Sequence, residues 1–106
     1  MRRRIRRHPD VAEDILDSAA YIAGDSMSAA LRFLDSVEAT LHRLLEYPAL
    51  GRLRDFDAPR LAAVRSVRVR DFRNHLIFYE VEPDGIYVLA VVHGARDLPK
   101  VLAQRI

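Results

Sequence analysis

A chain of 106 residues is long enough to bury one modest core unaided, and the absence of cysteine removes disulfides, thiolate chemistry and cysteine-built zinc sites. The net charge of +2 is mild but unevenly spread: residues 1–9 carry five Arg and no acid, residues 10–46 eight acids against Arg32 and Arg43, and residues 47–106 ten bases against seven acids. No apolar run reaches the roughly 18 residues of a membrane span and no leader-like N-terminus is visible, so the expectation is one soluble, cytoplasmic domain over residues 1–106 with no membrane partner.

Arg2 to His8 has Ile5 as its single apolar side chain. It reads either as a basic tail or as a short edge strand whose charge discourages further pairing. Pro9-Asp10 then opens a first helix, where Asp10 and Glu13 have the spacing of a capping box. Val11, Ile15, Leu16, Ala19, Ile22 and Ala23 recur at helical spacing as one apolar face, and Gly24 supplies the stop. Glu13, Asp14 and Asp17 fall on the outer face; with no His in register they read as solvated carboxylates rather than an acid/base or metal site. Asp25 or Ser26 caps a second helix with an apolar stripe of Ala30, Phe33, Leu34, Val37, Leu41, Leu44 and Leu45, ended at Pro48. The short link makes the pair an antiparallel αα-hairpin. His42 reads as a surface residue.

Pro48 to Arg60, with two Pro, one Gly and mixed charge, is the crossing from helices to strands. Val67 and Val69 alternate with Ser66, Arg68 and Arg70, giving a strand with one apolar and one basic face. HLIFYEVE and IYVLAVVHG, joined at Pro83-Asp84-Gly85, form a β-hairpin. Alternation places Ile86, Val88, Ala90 and Val92 on one face of its second strand and Tyr87, Leu89 and Val91 on the other. Both faces are apolar, so this strand lies inside a sheet. Asp97 caps a last short helix with Pro99 in its first turn and Leu98, Val101 and Leu102 inward. The fold class is α+β, in the order β-α-α-β-β-β(-α): an antiparallel sheet with the αα-hairpin packed on one face. The other face is covered either by a partner, with Leu76, Phe78 and Tyr79 as candidate contacts, or by the C-terminal segment folding back.

Arg68, Arg70, Arg73, His75, His93 and Arg96 are the candidate functional cluster, a basic group at one sheet end with His93 able to exchange a proton near neutrality. The structural alternative is that Arg96 and Asp97 pin the turn after the last strand while Gly94 permits its bend. Glycines are scattered, no serine has an activating motif and no histidines have ligand spacing, so neither a cofactor nor a metal is expected.

VRSVRV, LIFYEV followed by a turn and an apolar strand, HGARDL, AEDILDSAAYIA and YPALGR together resemble the ParE branch of the RelE/ParE toxins of type II toxin-antitoxin systems, over nearly the whole chain. The resemblance implies that the N-terminal segment is a strand. It also implies a non-enzymatic toxin that inhibits DNA gyrase by binding and is neutralised by a ParD-like antitoxin of ribbon-helix-helix type. Operator DNA would be bound only through that antitoxin. By analogy the helical hairpin and sheet edge meet the antitoxin, while Leu98, Lys100, Val101, Leu102 and Arg105 are the candidate target contacts. The alternatives are a RelE-like ribosome-dependent mRNA endoribonuclease, or a degenerate, inactive toxin. Against the nuclease pattern, Leu76 stands where that branch has an Arg, Leu102 falls near its Tyr, and Arg96 alone matches.

Overall fold

In a computed structural model, which describes residues 3–94 and 97–106, five strands form one sheet in the order β1-β5-β4-β3-β2. The elements are β1 (Arg4–Arg7), α1 (Val11–Ala23), α2 (Met27–Glu46), β2 (Arg52–Leu53), a 3₁₀ turn (Pro59–Leu61), β3 (Arg65–Val69), β4 (Phe72–Glu82), β5 (Gly85–His93) and α3 (Leu98–Ala103). The architecture is α+β, with β1 at an edge and β5 inside. The sheet is mixed rather than wholly antiparallel, because β1 runs parallel to β5 from Arg4 opposite Gly85 to Arg7 opposite Val88. Alternation specifies faces but not strand direction, and β1 is joined to the sheet by helices rather than a hairpin. Among the described residues no helix is long and apolar enough to cross a membrane.

The helix ends follow local chemistry, with one departure. Ser26 accepts the Ala29 N–H at 3.1 Å and Asp97 accepts that of Lys100 at 3.4 Å, as N-caps should. Asp10 makes no cap: His8 Nδ1 accepts the Asp10 N–H at 3.1 Å instead, and the capping box with Glu13 does not form. The basic N-terminal stretch is a strand held by ion pairs. Arg4 meets Asp84 at 3.1 Å, Arg6 grips Glu82 through two bonds of 2.9 and 2.6 Å, and Arg7 grips Glu38 through two of 3.0 and 2.9 Å. Arg7 holds the Glu38 carboxyl below the usual carboxylate range.

Two cores flank the sheet. Val11, Ile15, Phe33, Val37, Leu41 and Leu44 of the helices close over Val69, Ile77, Tyr79, Ile86, Val88 and Val91. Leu16, by contrast, is 63% exposed, one position outside the face that α1 buries. On the opposite face Phe78, Leu89, Ala90 and Val92 are covered by Leu61, Val64, Leu98 and Leu102. The chain therefore covers its own second face, with α3 and the segment before β3. Placing Ala90 and Val92 with Ile86 and Val88 fails because β5 has a bulge: Phe78 opposes Ala90 but Tyr79 opposes Val88, leaving Leu89 extra and inverting the alternation beyond it.

The bulge lies just past the point where β1 ends, and a charged network closes it. Asp14 and Arg105, 91 positions apart, are joined by bonds of 2.5 and 2.9 Å. Asp14 also accepts the Val91 N–H at 3.1 Å, and Arg105 donates to the Leu89 carbonyl at 3.0 Å. Asp14 is thus buried, not on the outer face of α1. Its hydrogen bond to Arg105 pushes the guanidinium's pKa up further. A second polar hub is Tyr79, whose buried hydroxyl donates to the Pro48 carbonyl at 2.7 Å and accepts the Gly51 N–H at 2.8 Å. Arg65 donates to the Gly51 carbonyl at 2.7 Å. This is what the YPALGR stretch does: it folds a turn around one hydroxyl, fixing where β2 starts.

Three outcomes follow from this packing. Replacing Arg105 by Met strands the Asp14 carboxylate in a site of little solvent and should cost about 3 kcal/mol in urea denaturation, and the double variant D14L/R105M should recover only part of it, because the Val91 N–H and the Leu89 carbonyl then lose their side-chain partners. Gly85 holds φ +154°, and a Cβ there would lie 1.8 Å from the Arg4 carbonyl oxygen, so Gly85→Ala should lower stability by about 1–3 kcal/mol in thermal melts. His75, buried against Phe33 with His93 beside it and Asp14 and Asp17 lining the same recess, has its pKa lowered from 6.5, first by burial and then by His93. The unfolded chain then binds the extra proton more readily, so stability contributed by neutral His75 is present above pH 6.5 and is lost as pH falls below it. His75→Gln should flatten that slope in stability measured against pH.

Candidate functional site

Four strands contribute to a groove of about 650 Å³ on the sheet face opposite the helical hairpin, lined by Arg52, Arg54, Arg68, Arg73, Asn74 and His93 among others. Backbone pairing sets its walls. Arg52 lies opposite Ser66 and Arg68 opposite Leu76, while the Gly94 N–H donates to the Asn74 carbonyl at 2.8 Å and fixes the end of β5 against the start of β4. Arg54 is held in place: it donates to Ser66 Oγ at 3.1 Å, and its guanidinium lies 5.5 Å from the Phe56 ring centre and 5.7 Å from that of Phe78. Partial burial, and secondarily Arg52, lower the Arg54 pKa. Among the described residues no carboxylate pairs with Arg52, Arg54, Arg68 or Arg73, so the groove is a concentration of uncompensated positive charge. Such an arrangement holds phosphate or carboxylate oxygens through planar donor forks.

The structure divides the basic cluster expected from the sequence. Arg68, Arg73 and His93 meet in the groove. Arg70 lies on the other side of the sheet edge, with its N–H on Thr40 Oγ1 at 3.2 Å, in a groove of about 580 Å³ beside α2. His75 turns toward the helices, its ring 4.9 Å from Phe33 and 5.3 Å from His93. Arg96 lies outside the described residues. Arg52 and Arg54 were missed because Pro48 to Arg60 reads as a connection. The available signal was the alternation Arg52-Leu53-Arg54, two charges around an apolar residue, the pattern of a short edge strand.

The other candidate contacts are placed less favourably for binding. Phe78 and Tyr79 are fully buried, on opposite sheet faces, and present no surface to a partner; Leu76 is half-buried at the groove floor. In the C-terminal segment Leu98 and Leu102 belong to the second core and Arg105 is engaged with Asp14, which leaves Lys100 exposed and Val101 half-buried.

The family described as "ParE toxin of type II toxin-antitoxin system, parDE" matches residues 5–98. Among solved structures, one described as "Chromosomal ParDE TA system from P. aeruginosa" superposes with a TM-score of 0.67 at 15% identity, covering 86% of this chain and 95% of that one, a likeness of fold. A comparison with curated proteins finds no match. With a five-stranded α+β sheet, a helical hairpin on one face and a family match spanning nearly all of these elements, the chain belongs to the ParE toxins of type II toxin-antitoxin systems.

Proposed function

We propose that this toxin acts in the cytoplasm by binding DNA gyrase rather than by cutting RNA, and that a ParD-like antitoxin with a ribbon-helix-helix DNA-binding half neutralises it. The observation that carries this reading is the composition of the groove. It gathers Arg52, Arg54, Arg68 and Arg73 around one concavity, and its described lining includes no carboxylate and no tyrosine. Leu76 occupies the place of the nuclease branch's phosphate-holding Arg, and Leu102, near the place of its Tyr, is fully buried in the second core.

For the antitoxin, the support is surface left uncovered. Leu16 and Tyr21 on α1, and Met27 and Leu31 on α2, are each more than half exposed, a run of apolar side chains along the helical hairpin. Beside α2, the outer edge of β3 from Val67 to Val69 has no strand partner among the described residues, since β2 pairs only with Arg65 and Ser66. An extended segment added there would find Ala39, Leu50 and Val67 for apolar side chains and Arg43, Arg68 and Arg70 for acidic ones.

A purified sample assayed for gyrase supercoiling and gyrase-mediated DNA cleavage, beside a translation reaction read for mRNA cuts, tests the proposal. Loss of supercoiling with accumulating DNA breaks and intact mRNA is the expected result, reversed by adding antitoxin. Codon-associated mRNA cleavage with gyrase untouched, or silence in both reactions, would overturn it.

A further inference from the structure

We infer that the arginine groove binds the sugar-phosphate backbone of duplex DNA directly, without reading its sequence. Four arginines elsewhere are engaged in holding the fold: Arg4, Arg6, Arg7 and Arg105 each meet a carboxylate at 3.1 Å or closer. Arg52, Arg54, Arg68 and Arg73 do not, although they stand on neighbouring strands around one concavity where their charges repel one another. Repulsion of this kind, focused by a concave surface, is relieved by a polyanion that releases its own counterions on binding. Arg54 is preorganised for the purpose by Ser66 and two aromatic faces, so little side-chain freedom remains to be lost.

The choice of duplex DNA comes from what the groove lacks. Among the described residues no Phe, Tyr or Trp lines it, so the splayed bases of a single strand would find no aromatic stacking platform beyond the His93 ring. What remains is recognition of closely spaced phosphates, and a duplex presents one charge for about every 1.7 Å of axis. Arginine contacts to phosphate oxygens position a duplex without specifying its sequence. This contact is separate from operator binding through an antitoxin and does not depend on gyrase being the target.

The test is fluorescence anisotropy of the full chain with a labelled duplex of about 24 base pairs, from about 50 to 200 mM salt, with single-stranded RNA of equal length and polyglutamate as competitors. The duplex should bind, with log K falling against log salt at a slope near −3, about 0.9 for each phosphate engaged. R52Q/R68Q should weaken binding about tenfold and flatten the slope by nearly two, whereas R32Q/R60Q, which removes equal charge outside the groove, should stay within about twofold. Thermal melts establish that each variant is folded, and R73Q supplies a single-site reading if the double variant is not. Equal losses in both double variants, tighter binding of the RNA, or equal competition by polyglutamate would each overturn the inference. No topoisomerase is present in the titration, so its failure leaves gyrase inhibition standing, and a gyrase assay on the same variants reads that question independently.

Discussion

The Asp14–Arg105 pair at the β5 bulge is the constraint on which the rest of the structure depends. An extra residue at Leu89 would leave backbone groups unpaired at the edge of β5, where β1 no longer covers it. The two charged side chains satisfy that edge together, the carboxylate taking the Val91 N–H and the guanidinium donating to the Leu89 carbonyl. Because Asp14 belongs to α1 and Arg105 follows α3, the same four groups tie together the layers on the two sides of the sheet. A charge pair with so little solvent is stabilising only when its remaining hydrogen-bonding capacity is met, and here backbone meets it. The pair also blunts an exposed strand edge that would otherwise recruit another chain.

The position of the groove follows from this closure. With α3 and the 3₁₀ turn drawn over Phe78, Leu89 and Val92, one half of the second face becomes core. The other half, past Leu76, stays open as the floor of the arginine groove. The Tyr79 hydroxyl fixes the opposite wall by anchoring the turn that leads into β2, so Arg52 and Arg54 are presented by backbone pairing rather than by a loose loop. The groove is therefore built on strands at its ends and on a core beneath. That rigidity suits binding surfaces whose donors must already be in place.

Much of this was legible in the chain. The α1 and α2 stripes, the Pro83-Asp84-Gly85 hairpin, a cap at Asp25 or Ser26 and the Asp97 cap follow from periodicity and turn chemistry, which are local, whereas β1 as a strand came from the family resemblance. What escaped was non-local. Alternation cannot announce a bulge, so the faces of β5 were inverted beyond Leu89, and the Asp14 carboxylate looked solvated because its partner lies 91 positions away. Strand direction for β1 was likewise invisible, since four residues with one apolar side chain pair equally well either way by pattern. The basic cluster was half legible: Arg68 and Arg73 lie on strands that can be read, whereas Arg52 and Arg54 owe their place to a two-residue strand too short to carry a period, and His75 points inward because a cross-strand partner and Phe33 take its ring.

The parallel pairing of β1 with β5 bears on the order in which the chain assembles. β4 and β5 are joined through two residues and meet within microseconds in an unfolded chain, whereas β1 must find β5 across the whole intervening sequence. Loop-closure entropy rises by about 0.6 kcal/mol for each doubling of span, so the terminal strand docks after the hairpin and helices have formed. Topologies governed by distant contacts fold slowly for their size. Until the ends meet, the unsealed rim of β5 and the apolar rear of the sheet are open together, which makes the unfinished chain a better substrate for capture by another polypeptide than the finished one.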